Sequence, residues 1–138
     1  MSIAQALPQA TPLPSPQRSL ARWQRVCSRQ DLVAHSGVVV WFAGAQVALF
    51  HLPEGPGGEQ VHAIHNRDPQ SGANVIGRGL LGHLQGVLVV ASPLYKQHFR
   101  LDNGACIEQP ELSLPVWAVR LNGDDVELYG SSDGVAVN

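Results

Sequence analysis

Short runs of β-branched and aromatic residues recur from Trp23 to Tyr129, and Gly, Pro, Asn or Asp interrupts them about every 8 to 12 residues. No stretch keeps a helical period, and no internal repeat is present. The pattern predicts strands over residues 23–27, 38–42, 46–52, 61–65, 75–78, 87–91, 97–101, 105–107, 116–121 and 126–129. One helical turn is expected over 30–35. Turns fall at Ala43-Gly44-Ala45, at 83–86, at Asp102-Asn103-Gly104 and at Asn122-Gly123-Asp124-Asp125, where Asn and Gly tolerate positive φ. The segment 53–59, with Gly55, Pro56, Gly57 and Gly58, reads as a flexible surface excursion. Together these make an all-β, antiparallel domain.

Composition narrows this further. With 138 residues, 44% of them apolar, the chain can bury the core of a single domain. A net charge of −2 gives no electrostatic case for nucleic acid. The longest apolar stretch, 38–50, is too short to span a membrane and is broken by Gly44 and Gln46. Cys27 and Cys106 are far apart and sit in apolar strand patterns, so both are expected as buried free thiols in a reducing cytoplasmic compartment. Residues 1–19 are rich in Ala, Gln, Ser and Thr around Pro8, Pro12, Pro14 and Pro16, without the cationic start and apolar run of a secretory signal. The expected organisation is a disordered arm over 1–19, a domain over 20–131 and a flexible tail over 132–138.

Motifs for catalysis are scarce. No G-x-G-x-x-G or G-x-S-x-G string opens a predicted helix, and there is no P-loop. A Ser–His–Asp set assembled by the fold stays open. His62 and His65, three apart on a strand, point to opposite faces and cannot share one ion. His35, His51, His83 and His98 have no partner at ligand spacing. Lys96, His98 and Arg100 fall on one face of the predicted 97–101 strand region, with Gln97, Phe99 and Leu101 on the other. That stripe, with Arg67 and Arg78, is the candidate partner interface; the plainer reading is a solvated strand edge.

The segment Asn66-Arg67-Asp68-Pro69-Gln70-Ser71-Gly72-Ala73 resembles the first cluster loop of a Rieske iron–sulfur domain, and Ser92-Pro93-Leu94-Tyr95 resembles the second. In that family the loops read C-P-H and C-P-L-H, and two Cys and two His hold a [2Fe–2S] centre. Here the corresponding positions are Asp68, Gln70, Ser92 and Tyr95. Neither thiolate nor imidazole remains, so no metal and no cofactor is expected on this chain. Hydrogen bonds from Tyr95, Ser92 and Gln70 are expected to cross-link the loops instead. Lys96 stands where a Rieske domain has glycine beside its cluster, which suits a loop tip with nothing to cradle.

A closer resemblance is to the small subunit of NAD(P)H-dependent nitrite reductase. It is carried by Trp23-Gln24-Arg25-Val26-Cys27, Ile76-Gly77-Arg78-Gly79-Leu80-Leu81, the run from Ala91 through Leu101 with its S-P-L-x-K-Q-x-F string, and Gly104-Ala105-Cys106-Ile107-Glu108. The resemblance implies a Rieske-type antiparallel β-sandwich with a small subdomain bearing the two pseudo-cluster loops. It implies a cytoplasmic, non-catalytic small subunit that stabilises or organises a large subunit carrying FAD, an iron–sulfur cluster and sirohaem, the whole enzyme reducing nitrite to ammonium. No catalytic residue is expected on this chain. The alternatives are a Rieske electron carrier, which the missing ligands oppose, and a free-standing cluster-free binding module.

Overall fold

The computed structural model describes residues 21–55 and 57–131; the arm expected over 1–19 and the tail expected over 132–138 lie outside the described residues. The strands run β1 (Ala21–Ser28), β2 (Gly37–Phe42), β3 (Ala45–Gly55), β4 (Gly58–His65), β5 (Leu80–Leu84), β6 (Val87–Ala91), β7 (His98–Arg100), β8 (Val116–Trp117), β9 (Val119–Asn122) and β10 (Asp125–Ser131). They form three antiparallel sheets, ordered β1-β10-β9, β2-β3-β4-β8 and β5-β6-β7. The architecture is thus all-β, with the β5-β6-β7 sheet as the small subdomain.

Turn chemistry makes the hairpins. Ala43 and Gly44 take φ of 53° and 82°, and Gln85 and Gly86 take 55° and 78°. Paired positive φ values match the strand twist of a two-residue hairpin. The first turn sets Phe42 opposite Ala45, and the second sets Leu84 opposite Val87.

Strand β3 explains why its sequence does not alternate. Val47, Ala48, Leu49 and Phe50 are all fully buried. Val47 and Leu49 pack in one core with Cys27, Ala63, Trp117, Val126 and Leu128. Ala48 and Phe50 point the other way, into a second core with Ile64, Ile76, Val90 and Phe99. A strand covered on both faces reads as a continuous apolar run. The middle sheet therefore separates two cores, and the second core lies under the pseudo-cluster loops.

Several expected elements differ. Residues 75–78 are not a strand: Ile76–Arg78 is a 3-10 turn with Ile76 buried, and the strand starts at Leu80. Gly79 forces this, since a Cβ there would lie 2.3 Å from the Ala91 carbonyl oxygen. The expected loop over 53–59 is largely paired, with Gly55 opposite Gly58 at the end of the β3–β4 hairpin. The helical turn is shorter and earlier than expected, Arg29–Asp31, because Ser28 caps it: Gln30 N–H donates to Ser28 Oγ at 3.2 Å, and Ser28 N–H donates to the Asp31 carboxylate at 2.9 Å. The strand expected over 116–121 is split. β8 pairs with β4 in the middle sheet and β9 pairs with β10 in the outer one, so the chain changes sheets at Ala118. The strand expected over 97–101 is reduced to β7, and the one expected over 105–107 keeps only single bridge pairs such as Phe99 with Cys106.

Candidate functional site

The first pseudo-cluster loop is wound around Asp68. Its N–H donates to the Ala73 carbonyl and its carbonyl accepts from Gly72 N–H, both at 2.7 Å. Its Oδ1 accepts from the N–H groups of Gln70 at 2.7 Å and Ser71 at 3.1 Å. This is the way a short carboxylate closes a turn on its own backbone. Gly72, at φ 80°, lies against the Arg67 guanidinium. Asn66, only 3% exposed, anchors the loop base: its amide donates to Gln46 Oε1 at 2.9 Å and its Oδ1 accepts from Gly77 N–H at 2.6 Å. Sequence reasoning missed Asn66, whose polar side chain stands just after an apolar strand.

The second loop closes between β6 and β7. Ser92 N–H donates to the Gln97 carbonyl at 2.8 Å, and Lys96 N–H donates to the Ser92 carbonyl at 2.9 Å. Lys96 takes φ of 60°. A non-glycine residue held there costs about 1 kcal/mol. The glycine of the resembled pattern thus answers a backbone need as well as close approach.

Across the loops, Ser92 Oγ donates to Asp68 Oδ2. Asp68 is 0% exposed and Ser92 1%. Gln97 Nε2 donates to Gln70 Oε1 at 3.2 Å and to Gln109 Oε1 at 2.5 Å. The two residues standing where a Rieske domain has cysteine therefore meet inside. The two standing where it has histidine, Gln70 and Tyr95, are on the surface, and Tyr95 is 56% exposed. Hydrogen bonding does cross-link the loops, but through Asp68, Ser92, Gln70 and Gln97; Tyr95 points outward. A carboxylate, a hydroxyl, an amide and a phenol do not fit a [2Fe–2S] centre, which takes thiolate and imidazole donors. The buried pair is also engaged with itself.

The basic stripe is not built as expected. Lys96 is in the loop, not on β7. Arg100 grips Asp102 with two bonds, at 2.9 and 2.7 Å, and His98 Nδ1 is 2.5 Å from Glu108 Oε2. Hydrogen bonding to Arg100 holds the Asp102 carboxyl below the usual range. His98 and Arg100 thus carry internal counter-charges, which no spacing rule in the sequence reveals.

Among the described residues no group of three or more His, Cys, Asp or Glu could hold a metal ion. His51 pairs with Glu59 at 2.7 Å, and Arg29 bonds the same carboxylate. Cys27 and Cys106 are free, lie in separate cores, and burial pushes both thiols up, so neither is a ready nucleophile. No helix among the described residues is long and apolar enough to cross a membrane.

His62 sits 3.1 Å from Gln60 Oε1, and the His65 ring packs edge-on to Trp117 at 6.2 Å. Burial pushes both imidazoles below the ordinary value of about 6.5. The folded state therefore binds protons less readily than the unfolded chain, and this stability is present above about pH 6.5 and lost as pH falls. The thermal midpoint is expected to drop between about pH 7.5 and 5.5, with a shallower slope in the His62→Gln, His65→Gln double variant. Equal slopes in the two proteins would assign the dependence to other groups.

The family model of the Rieske-like [2Fe-2S] domain matches residues 22–129. The NADH nitrite reductase small subunit of Salmonella typhimurium is 40% identical over 111 residues, covering 80% of this chain and 100% of that protein. The nitrite reductase (NAD(P)H) large subunit of Klebsiella oxytoca is 36% identical over 104 residues, which are 75% of this chain but 10% of that one. The crystal structure of a protein from Mycobacterium tuberculosis, described as a possible NADH-dependent nitrite reductase small subunit, superposes with a TM-score of 0.72 at 38% identity, covering 80% of this chain and 96% of the other.

Proposed function

The chain belongs to the small subunits of NADH nitrite reductase, within the Rieske-like [2Fe-2S] domains, and from that premise we propose that it works as a cluster-free subunit bound to a large catalytic subunit. The observation that carries this is similarity along the whole length of a small subunit, covering 80% of this chain, together with a matching segment inside a large-subunit chain. The same domain thus occurs as a separate chain and as part of the large polypeptide, so its partner is the large subunit in either arrangement.

The chain's own residues supply no electron relay. The positions where a cluster would be ligated are a buried Asp68–Ser92 hydrogen bond and two surface side chains. FAD, an iron–sulfur cluster and sirohaem would all reside on the large subunit, and electrons from NADH or NADPH would reach nitrite there, in the cytoplasm. The small subunit would contribute a rigid two-core scaffold whose loops are free to make contacts.

The test is co-expression with the large subunit, followed by iron analysis and a visible spectrum of the small chain alone. A colourless, iron-free chain is expected, which co-purifies with the large subunit and sustains its NAD(P)H-dependent nitrite reduction. A stoichiometric [2Fe–2S] spectrum after anaerobic reconstitution would overturn the cluster-free reading. A large subunit fully active and stable without binding this chain would overturn the subunit role.

A further inference from the structure

Four of the seven arginines among the described residues are already paired with carboxylates. Arg25, Arg29, Arg100 and Arg120 each bond a carboxylate of the same chain. Arg78 and Lys96 are exposed and have no carboxylate partner among the described residues. Both line one depression of about 290 Å³, together with Leu80, Ser92, Pro93 and His98. Ser92 is engaged by Asp68 and His98 by Glu108, which leaves the two cations uncommitted.

Exposed apolar side chains crowd the same place. Leu80 is 79% exposed although it belongs to a strand, and it sits opposite Ala91, next to Ser92. Leu94 and Tyr95, in the turn between Ser92 and Lys96, are 50% and 56% exposed. Large apolar groups gathered on a surface and rimmed by polar ones mark an interaction site. Lys96 adds an independent sign. Its positive φ would suit glycine without strain, yet a long cation is held there at the tip.

We infer that the large subunit of nitrite reductase covers this tip, seating apolar side chains on Leu80, Leu94 and Tyr95 and bringing carboxylates to Arg78 and Lys96. The inference rests on the small-subunit reading above. It commits to that occupant because a homologous segment is part of a large-subunit chain in one relative, and because the unpaired charge calls for an acidic counterpart. The competing surface is the β2 pair Val39 and Trp41, 48% and 70% exposed. That pair comes from one strand, whereas the tip joins two segments and two unpaired cations.

The experiment titrates the full chain against the large subunit at low and high salt, with the thermal midpoint of each free variant as a fold control. Lys96→Gly removes the charge and relieves the backbone, so its midpoint should hold within about 3 °C. Its dissociation constant should rise about fivefold at low salt and converge with wild type at high salt. Leu80→Ser with Tyr95→Ser should raise it about tenfold or more at either salt. Val39→Ser with Trp41→Ser should leave it unchanged. Wild-type binding by both tip variants, or weakening confined to the Val39 and Trp41 variant, overturns the assignment of this surface and leaves the subunit role standing. Failure of the wild-type chain itself to bind overturns the subunit role and this inference with it.

Discussion

Gly104→Ala is expected to cost more than about 4 kcal/mol or to prevent folding. Gly104 holds φ of 81° in the turn after β7, and a Cβ there would lie 1.9 Å from the Leu114 carbonyl oxygen. The obstacle is backbone, not a side-chain end that can swing aside. It is also pinned: Leu114 N–H donates to the Gly104 carbonyl at 2.9 Å, and Gly104 N–H donates to the Arg100 carbonyl at 2.8 Å. Leu114 itself is 4% exposed in the second core, so retreat of its backbone would open that core. Gly123 is the matched control. It has φ of 61° but nothing within 4 Å of its Cβ position. Gly123→Ala should therefore cost only the left-handed strain, about 1 kcal/mol. Chemical denaturation of the two variants measures the difference, and similar losses would mean that the 112–114 segment yields easily.

Phe99→Ala should destabilise the domain by about 3–5 kcal/mol. Phe99 is 0% exposed and packs in the second core with Phe50, Ile64, Ile76 and Val90. Its strand neighbours cannot collapse into the space left behind, because Val90 is its register partner and Cys106 bridges its other side. A cavity there lies beneath both pseudo-cluster loops, so association with the large subunit should weaken along with stability. A loss below about 1 kcal/mol would mean that the site refills or the register differs.

The two cores divide the labour. The first joins the outer and middle sheets and holds the sandwich together. The second supports the small β5-β6-β7 sheet and, through Ile76 and Phe99, the bases of the two loops. In a metal-bearing Rieske domain, cluster ligation itself would clamp the loop tips. Here the clamp is a hydrogen-bonded carboxylate inside and a glutamine ladder outside. A buried polar group is tolerated when its acceptor sites are filled, and Asp68 receives the Ser92 hydroxyl and two backbone N–H groups.

Much of this was legible beforehand, for a physical reason. Strand alternation and turn chemistry are local, so the hairpin at Ala43-Gly44, the turn at Asp102-Asn103-Gly104, the buried face of Phe99 and the all-β class could be read from neighbouring residues. The loss of cluster ligands was also legible, because ligand identity at a motif position needs no coordinates. Boundaries slipped where long-range packing overrode local pattern: at Gly79, squeezed against Ala91, and at Ala118, where one apolar run serves two sheets.

The amino-acid order alone determined that this is a β domain of Rieske type without thiolate or imidazole at its four ligand positions, since those properties reside in residue type and short spacing. Tertiary structure alone decided which polar groups neutralise one another. Asp68 meets Ser92 from 24 positions away, and His98 meets Glu108 across a turn, so the cationic stripe that looked available is largely spent. The uncommitted charge at Arg78 and Lys96, and the exposed Leu80, Leu94 and Tyr95 around it, appear only once the sheets close and show which side chains are left over, because pairing and burial depend on distance in space, which spacing along the chain does not encode.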